Sequence, residues 1–270
     1  MLDGKPIKLN FKKLTAEEKE YYANEFSEGS SDLKNLLLKM WDNGINTIAC
    51  CAGHDNGTGK LKILSPYISF YIDKFSPKDL KRIVSRIIEG YDQGILGFIF
   101  SINKDKGANI TIRTYDDELR KSLFTFVDDL IFNENSAYEI KQNEMVETIL
   151  DMLSLSFRQY LKSKGSPTNR YSLLSVRTIG PYKKMYLVSR DDCVYKKINN
   201  KIGTIKLAEG FYVSVDKYGY IGLKNNKVIK LNSDEVTNYK KLKTYKKFNS
   251  TRELNLIELK QIIKEIKLHQ

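Results

Sequence analysis

Histidine and cysteine are scarce in this 270-residue chain, at two and three residues. His54 and His269 are the whole histidine supply. That excludes a multi-histidine zinc or iron centre, and any imidazole chemistry in the folded body must use His54. Cys50, Cys51 and Cys193 form an odd set with two neighbours adjacent, a poor disulfide framework. The opening Met1-Leu2-Asp3-Gly4-Lys5-Pro6 has no apolar run of the export-signal kind. Together these features predict a reducing, cytoplasmic setting. Five prolines and 16 glycines exclude a collagen-like chain. No run of about 18 apolar residues is present, so neither a membrane span nor a membrane partner is expected. Gly57-Thr58-Gly59-Lys60 is no phosphate loop, because Leu61 stands where that pattern needs Ser or Thr. No cofactor is implied.

What is abundant is charge, and it is unevenly placed. The chain carries 45 Lys+Arg against 33 Asp+Glu, a net +12. Residues 1–163 hold 22 basic and 24 acidic side chains, and residues 164–270 hold 23 and 9. The net charges are therefore −2 and +14. A codon-driven lysine bias would act on both parts, so the asymmetry carries information. The hydrophobic fraction of 41% is ample for a folded core. The switch in charge coincides with Lys164-Gly165-Ser166-Pro167, which reads as a linker. Two domains are expected, 1–163 and 164–270.

The first part alternates helix and strand. Residues 6–11 alternate like a short strand. Thr15 precedes Ala16-Glu17-Glu18, an N-cap with acids in the first turn. Ser31 opens a helix with a stripe of Leu33, Leu36, Leu37, Met40 and Trp41, ended by Gly44. Residues 45–52 fit a buried strand and 67–72 a second one. Ser76-Pro77 starts a helix with proline at its first position. Residues 95–102 and 109–114 read as a hairpin. Helices are expected from Asp116 and over 139–162. In the second part, short strands are expected at 172–178, 184–189, 194–198, 204–207, 211–215, 220–223 and 227–231, then a helix over 252–267. The fold class is α+β, with an N-terminal sheet covered by helices. A small antiparallel sheet or barrel with a terminal helix follows it.

One compact motif carries chemistry. Cys50-Cys51-Ala52-Gly53-His54 ends a strand and enters the loop Asp55-Asn56. Alternation turns the two thiols to opposite faces, so one of them can stand beside His54. An imidazolium there would lower the thiol pKa and make a nucleophile, with Cys50, Cys51 and His54 as catalytic candidates. Gly53, Asp55 and Asn56 are the ligand-binding candidates, at a cleft mouth. The competing reading is two small packed cysteines and a loop histidine. Asp116-Asp117-Glu118 with Asp128-Asp129 could hold a divalent ion, or simply supply helix-end and surface charge. No metal site is assigned.

The segment 33–72, from the Leu36-Leu37-Leu38 helix through Gly44-Ile45-Asn46-Thr47 and Cys50-Cys51-Ala52-Gly53-His54 to Tyr67-Ile68-Ser69-Phe70, resembles a group of uncharacterised Firmicutes and phage proteins with a Cys-Cys-x-Gly-His motif. The resemblance implies a phage or mobile-element setting. A weaker likeness is to the wybutosine-synthesis methyltransferase motif Thr-Ser-Ser-Cys-Ser-Gly-Arg. This chain has His54 in place of the arginine and lacks the flanking serines, so that activity does not carry over.

In the basic part Lys183, Lys184, Lys196, Lys197, Lys240, Lys241, Lys243, Lys246 and Lys247 interleave with aromatics, Tyr245 among them. Lysines meet phosphates as point charges and exposed aromatics stack on bases. The expected partner is nucleic acid, or an acidic or nucleoprotein complex. The leading expectation is a phage or mobile-element accessory protein. Anti-CRISPR-like interference with host defence is one use the family setting suggests. The alternative is an enzyme or nucleotide sensor centred on Cys50, Cys51 and His54.

Overall fold

The computed structural model describes residues 11–53, 65–103, 107–133, 142–155, 171–180, 184–191, 209–215, 219–225, 227–241 and 249–268. It is an α+β protein. After a 3-10 turn (Phe11–Lys13) come α1 (Ala16–Ser27), α2 (Ser31–Asp42), β1 (Thr47–Cys51), β2 (Tyr67–Tyr71) and α3 (Pro77–Asp92). Next are β3 (Leu96–Asn103), β4 (Gly107–Thr114), α4 (Asp117–Arg120), α5 (Leu123–Phe132) and α6 (Glu144–Leu153). The second half supplies β5 (Tyr171–Thr178), β6 (Met185–Asp191), β7 (Phe211–Val215), β8 (Gly219–Lys224) and β9 (Lys227–Leu231). It ends with α7 (Ser233–Val236), β10 (Lys240–Lys241), β11 (Asn249–Glu253) and α8 (Leu256–Lys267).

Local signals act as the sequence predicts. The Thr15 hydroxyl accepts the Glu18 amide, and the Glu18 carboxylate accepts the Thr15 amide at 2.8 Å, a closed capping box. Ser76 caps α3 with Pro77 behind it. Gly44, at φ +73°, supplies the left-handed residue beyond α2. α2 opens at Ser31, as expected, with Ser30 as its cap. Some boundaries differ. The helix expected from Asp116 breaks into α4 and α5, and the one expected over 139–162 is described only as α6. The strand expected over 6–11 and those over 194–198 and 204–207 lie outside the described residues, apart from Phe11 in the 3-10 turn.

Seven strands form one antiparallel sheet in the order β1-β2-β4-β3-β5-β6-β11. β1 is its edge, so the fully buried strand expected over 45–52 is corrected: Ala49 is exposed and Ile48 half-buried. The most buried aliphatic of that run, Ile45, sits in the turn before the strand. Pairing does not follow the boundary expected at 163/164. β5 lies against β3 with Phe100 opposite Val176, and α8 packs on α6. The chain leaves this sheet after β6 and returns through β11. In between, β10-β7-β8-β9 makes a second, open sheet, not a barrel, in which β10 runs parallel to β7.

The large sheet has two unlike faces. Ile68, Phe70, Phe98, Phe100, Ile110, Ile112, Leu174 and Val176 merge with the stripes of α2, α3, α5, α6 and α8 into one core. The opposite face carries Tyr67, Ser69 and Tyr71 on β2, Asn109, Thr111 and Arg113 on β4, and Ser175 and Arg177 on β5. Strict alternation places them there. Among the described residues no helix is long and apolar enough to cross a membrane.

Candidate functional site

The strand β1 brings the cysteines to the C-terminal end of α1. Cys50 stands opposite Ile68 and packs against the core, whereas Cys51 stands opposite Tyr67 on the polar face. The two thiols thus point to opposite sides, as alternation requires. The Cys50 thiol donates to the Phe26 carbonyl at 3.6 Å. The Cys51 sulfur accepts the Gly53 amide at 3.4 Å, a contact made by the turn at Gly53, whose φ is +91°. Glu28 closes the group. It occupies a left-handed position at the end of α1 (φ +52°), and its carboxylate accepts the Ala52 amide at 3.0 Å.

The electrostatics of this cluster hold protons on sulfur. Burial, then the Glu28 carboxylate, then Cys51 push the Cys50 thiol up to about 12. The residue as a whole is half-buried, with its sulfur against the Phe26 carbonyl of α1. Burial, followed by Glu28, also raises Cys51, against the opposing pull of the Gly53 amide. Both shifts favour the neutral thiol over the reactive thiolate. His54, Asp55 and Asn56 lie outside the described residues, so the Cys–His contact is not part of this geometry.

A reactivity test follows. Iodoacetamide should alkylate Cys50 in the native protein at pH 8 at least about a hundredfold more slowly than in denaturant, because the thiolate is the reacting species. The native rate should climb only as pH approaches 12. In linkage terms the folded pKa lies above the ordinary 9.0, so the stabilisation is complete below about 9 and is lost as pH rises toward 12. Equal native and denatured rates, read by peptide mass spectrometry, would show that the thiol is not shifted upward, and a faster native rate would mark an activated nucleophile.

From Cys51 a row of cross-strand partners runs over the polar face: Cys51, Tyr67, Arg113, Gly97. The parallel row is Ala49, Ser69, Thr111, Ile99, Arg177, Tyr186. Thr111 donates to the Ser69 hydroxyl at 2.9 Å, and Ser101 to the Asn109 carboxamide oxygen at 3.1 Å. These small polar groups are buried, whereas Tyr67, Tyr71, Arg113, Tyr115, Arg177 and Tyr186 are half-buried around them. Burial, helped by both thiols, raises the Tyr67 phenol, and Arg113 opposes the shift. The sequence reading did not single out this face. Its signal was the alternation Tyr67-x-Ser69-x-Tyr71 and Asn109-x-Thr111-x-Arg113, legible once the strands are aligned.

Of the basic candidates, Lys184, Lys240 and Lys241 are described, and all three are exposed. Lys184 pairs with Glu253 at 3.2 Å. Lys240 and Lys241 form β10, and neither is ion-paired with a carboxylate among the described residues. Lys183, Lys196, Lys197, Lys243, Tyr245, Lys246 and Lys247 lie outside the described residues. Three of the acidic candidates have structural partners: Asp116 caps α4, Asp128 pairs with Lys39 at 2.8 Å and Asp129 with Arg86 at 3.0 Å. Among the described residues no group of His, Cys, Asp or Glu is placed to hold a metal ion. No protein-family model, curated protein or solved structure matches this chain.

Proposed function

We propose that this protein binds nucleic acid, or a nucleoprotein complex, through its lysine-rich C-terminal part. The observation that carries this reading is the charge partition, +14 over residues 164–270 against −2 over 1–163. Lys224, Lys230, Lys240 and Lys241 of the small sheet are exposed, with Tyr239 half-buried beside the β10 pair. Lysines outnumber arginines in this part, which favours contact with the phosphate backbone over bidentate reading of bases. The Cys-Cys-x-Gly-His resemblance adds a phage or mobile-element setting, in which engaging a host-defence nucleoprotein is one use.

Backbone binding of this kind releases counterions. Titrating the protein with short single-stranded DNA and RNA should give affinities that fall about 300- to 10⁴-fold between 50 and 200 mM salt if six to ten phosphates are neutralised. The double variant Lys240→Glu/Lys241→Glu should weaken binding and flatten the salt dependence by about two counterions. Absence of binding to either polymer at about 50 mM salt would remove the proposal in its nucleic-acid form.

A further inference from the structure

The polar face of the large sheet holds two guanidinium groups that pair with no carboxylate among the described residues. Arg113 on β4 and Arg177 on β5 flank β3, standing opposite Gly97 and Ile99 on the same face. The Nε of each is buried and makes no hydrogen bond. Among the described residues no carboxylate is ion-paired with either. Their charges face one another instead: burial first, and then Arg113, presses the Arg177 pKa below its ordinary value.

Gly97 shapes the space between them. A Cβ on Gly97 would lie 2.7 Å from the Tyr115 ring, 2.8 Å from the Thr178 hydroxyl and 3.0 Å from Cγ of Arg113. The arginine stem and the tyrosine ring therefore lie across the notch this glycine leaves, leaning toward β5. Arg113 Nη1 donates to the Tyr115 hydroxyl at 3.4 Å. A tyrosine stands opposite each arginine on the outer neighbouring strand, Tyr67 beside Arg113 and Tyr186 beside Arg177.

Two like charges side by side with a buried, unsatisfied Nε on each are costly in the free protein, and an anion bound against the pair offsets their mutual repulsion. The planar fork of arginine matches the oxygens of a phosphate. The flanking phenol rings offer stacking surface to a planar group. We propose that Arg113 and Arg177 form a binding site for the phosphate group of a nucleotide, whether free or within a strand. The site uses other residues than the lysine-rich surface and stands or falls separately from it.

The test is calorimetric titration of the full chain at fixed ionic strength with pyrophosphate, a 5′-mononucleotide, the matching nucleoside and a short single-stranded oligonucleotide. The phosphate-bearing probes should bind and the nucleoside should not. Arg113→Gln and Arg177→Gln should each weaken that binding by about tenfold or more, the loss of a charge-assisted contact. Lys240→Glu/Lys241→Glu should leave mononucleotide binding unchanged. Both glutamine variants should melt no lower than wild type, since each removes a like-charge clash. A mononucleotide as tight as the oligonucleotide assigns the free ligand, and an oligonucleotide more than about tenfold tighter in the Lys240→Glu/Lys241→Glu chain, with that surplus lost on Arg113→Gln or Arg177→Gln, assigns strand phosphate. Binding unaffected by either arginine change, binding of the nucleoside equal to that of the nucleotide, or no response to any phosphate-bearing probe would overturn the site. So would a lowered melting temperature in both glutamine variants, which would make the pair structural.

Discussion

Trp41→Ala should destabilise the protein by about 3–5 kcal/mol, the range for truncating a large buried aromatic. Trp41 is the only tryptophan and is 2% exposed. Its ring stacks on Phe11 at 4.3 Å and meets Phe26 edge-on at 6.4 Å. Its indole N–H donates to the Thr47 hydroxyl at 3.0 Å. One side chain thus ties α2 to the 3-10 turn, to α1 and to the first residue of the cysteine-bearing strand. Truncation removes the packing and leaves the Thr47 hydroxyl without its donor. For a domain with about 5–15 kcal/mol in hand, that is a large share. Urea unfolding followed by circular dichroism reads it, since the fluorescent residue is gone. Trp41→Phe should recover more than half the loss by restoring ring contacts without the hydrogen bond. A loss under about 1 kcal/mol for alanine would show that this junction is not part of the cooperative core.

Arg82→Ala comes second, at about 2–4 kcal/mol, reckoned from two hydrogen bonds to a charged donor that are lost together. Arg82 lies on α3 and is 8% exposed. Its guanidinium donates to the Leu130 carbonyl at 2.6 Å and to the Ile131 carbonyl at 3.2 Å. Those carbonyls belong to the last turn of α5, whose acceptors have no partner within the helix. A cation there also complements the negative end of the helix dipole. Removing the arginine leaves buried acceptors unsatisfied and unlocks α3 from α5. Arg82→Met separates the two roles of the side chain. It keeps the stem and loses the donors, so it should fall nearly as far as alanine in equilibrium unfolding. Near-wild-type stability for methionine would mean that water replaces the guanidinium at the α5 terminus.

The helices were the most legible part of the sequence. Thr15 with Glu18, Ser76 with Pro77, and Gly44 act through hydrogen bonds or torsions within a few residues, so short-range pattern suffices. The hairpin over β3 and β4 was legible for the same reason. Less legible was β11, Asn249–Glu253, a polar edge strand with no apolar alternation to mark it. Arg252 and Glu253, expected as the start of the terminal helix over 252–267, belong instead to this strand and pair with β6, Arg252 opposite Leu187, and the helix begins at Leu256. The opposite orientation of Cys50 and Cys51 was legible from strand period alone. The edge position of β1 was not, because a strand's neighbours depend on the whole sheet order.

By itself the sequence determined the α+β class, the helix caps, the alternating strand faces and the segregation of positive charge, all properties of local spacing and composition. Only the tertiary structure decided that strands from both sides of the charge switch share one sheet. It alone set Glu28 beside the two thiols, where its charge adds to burial in raising their pKa. It also brought Arg113 and Arg177, 64 positions apart in the chain, to one face on either side of β3. The physical reason is that cross-strand register converts sequence-distant residues into neighbours, and burial and mutual charge act on such neighbours regardless of the chain between them.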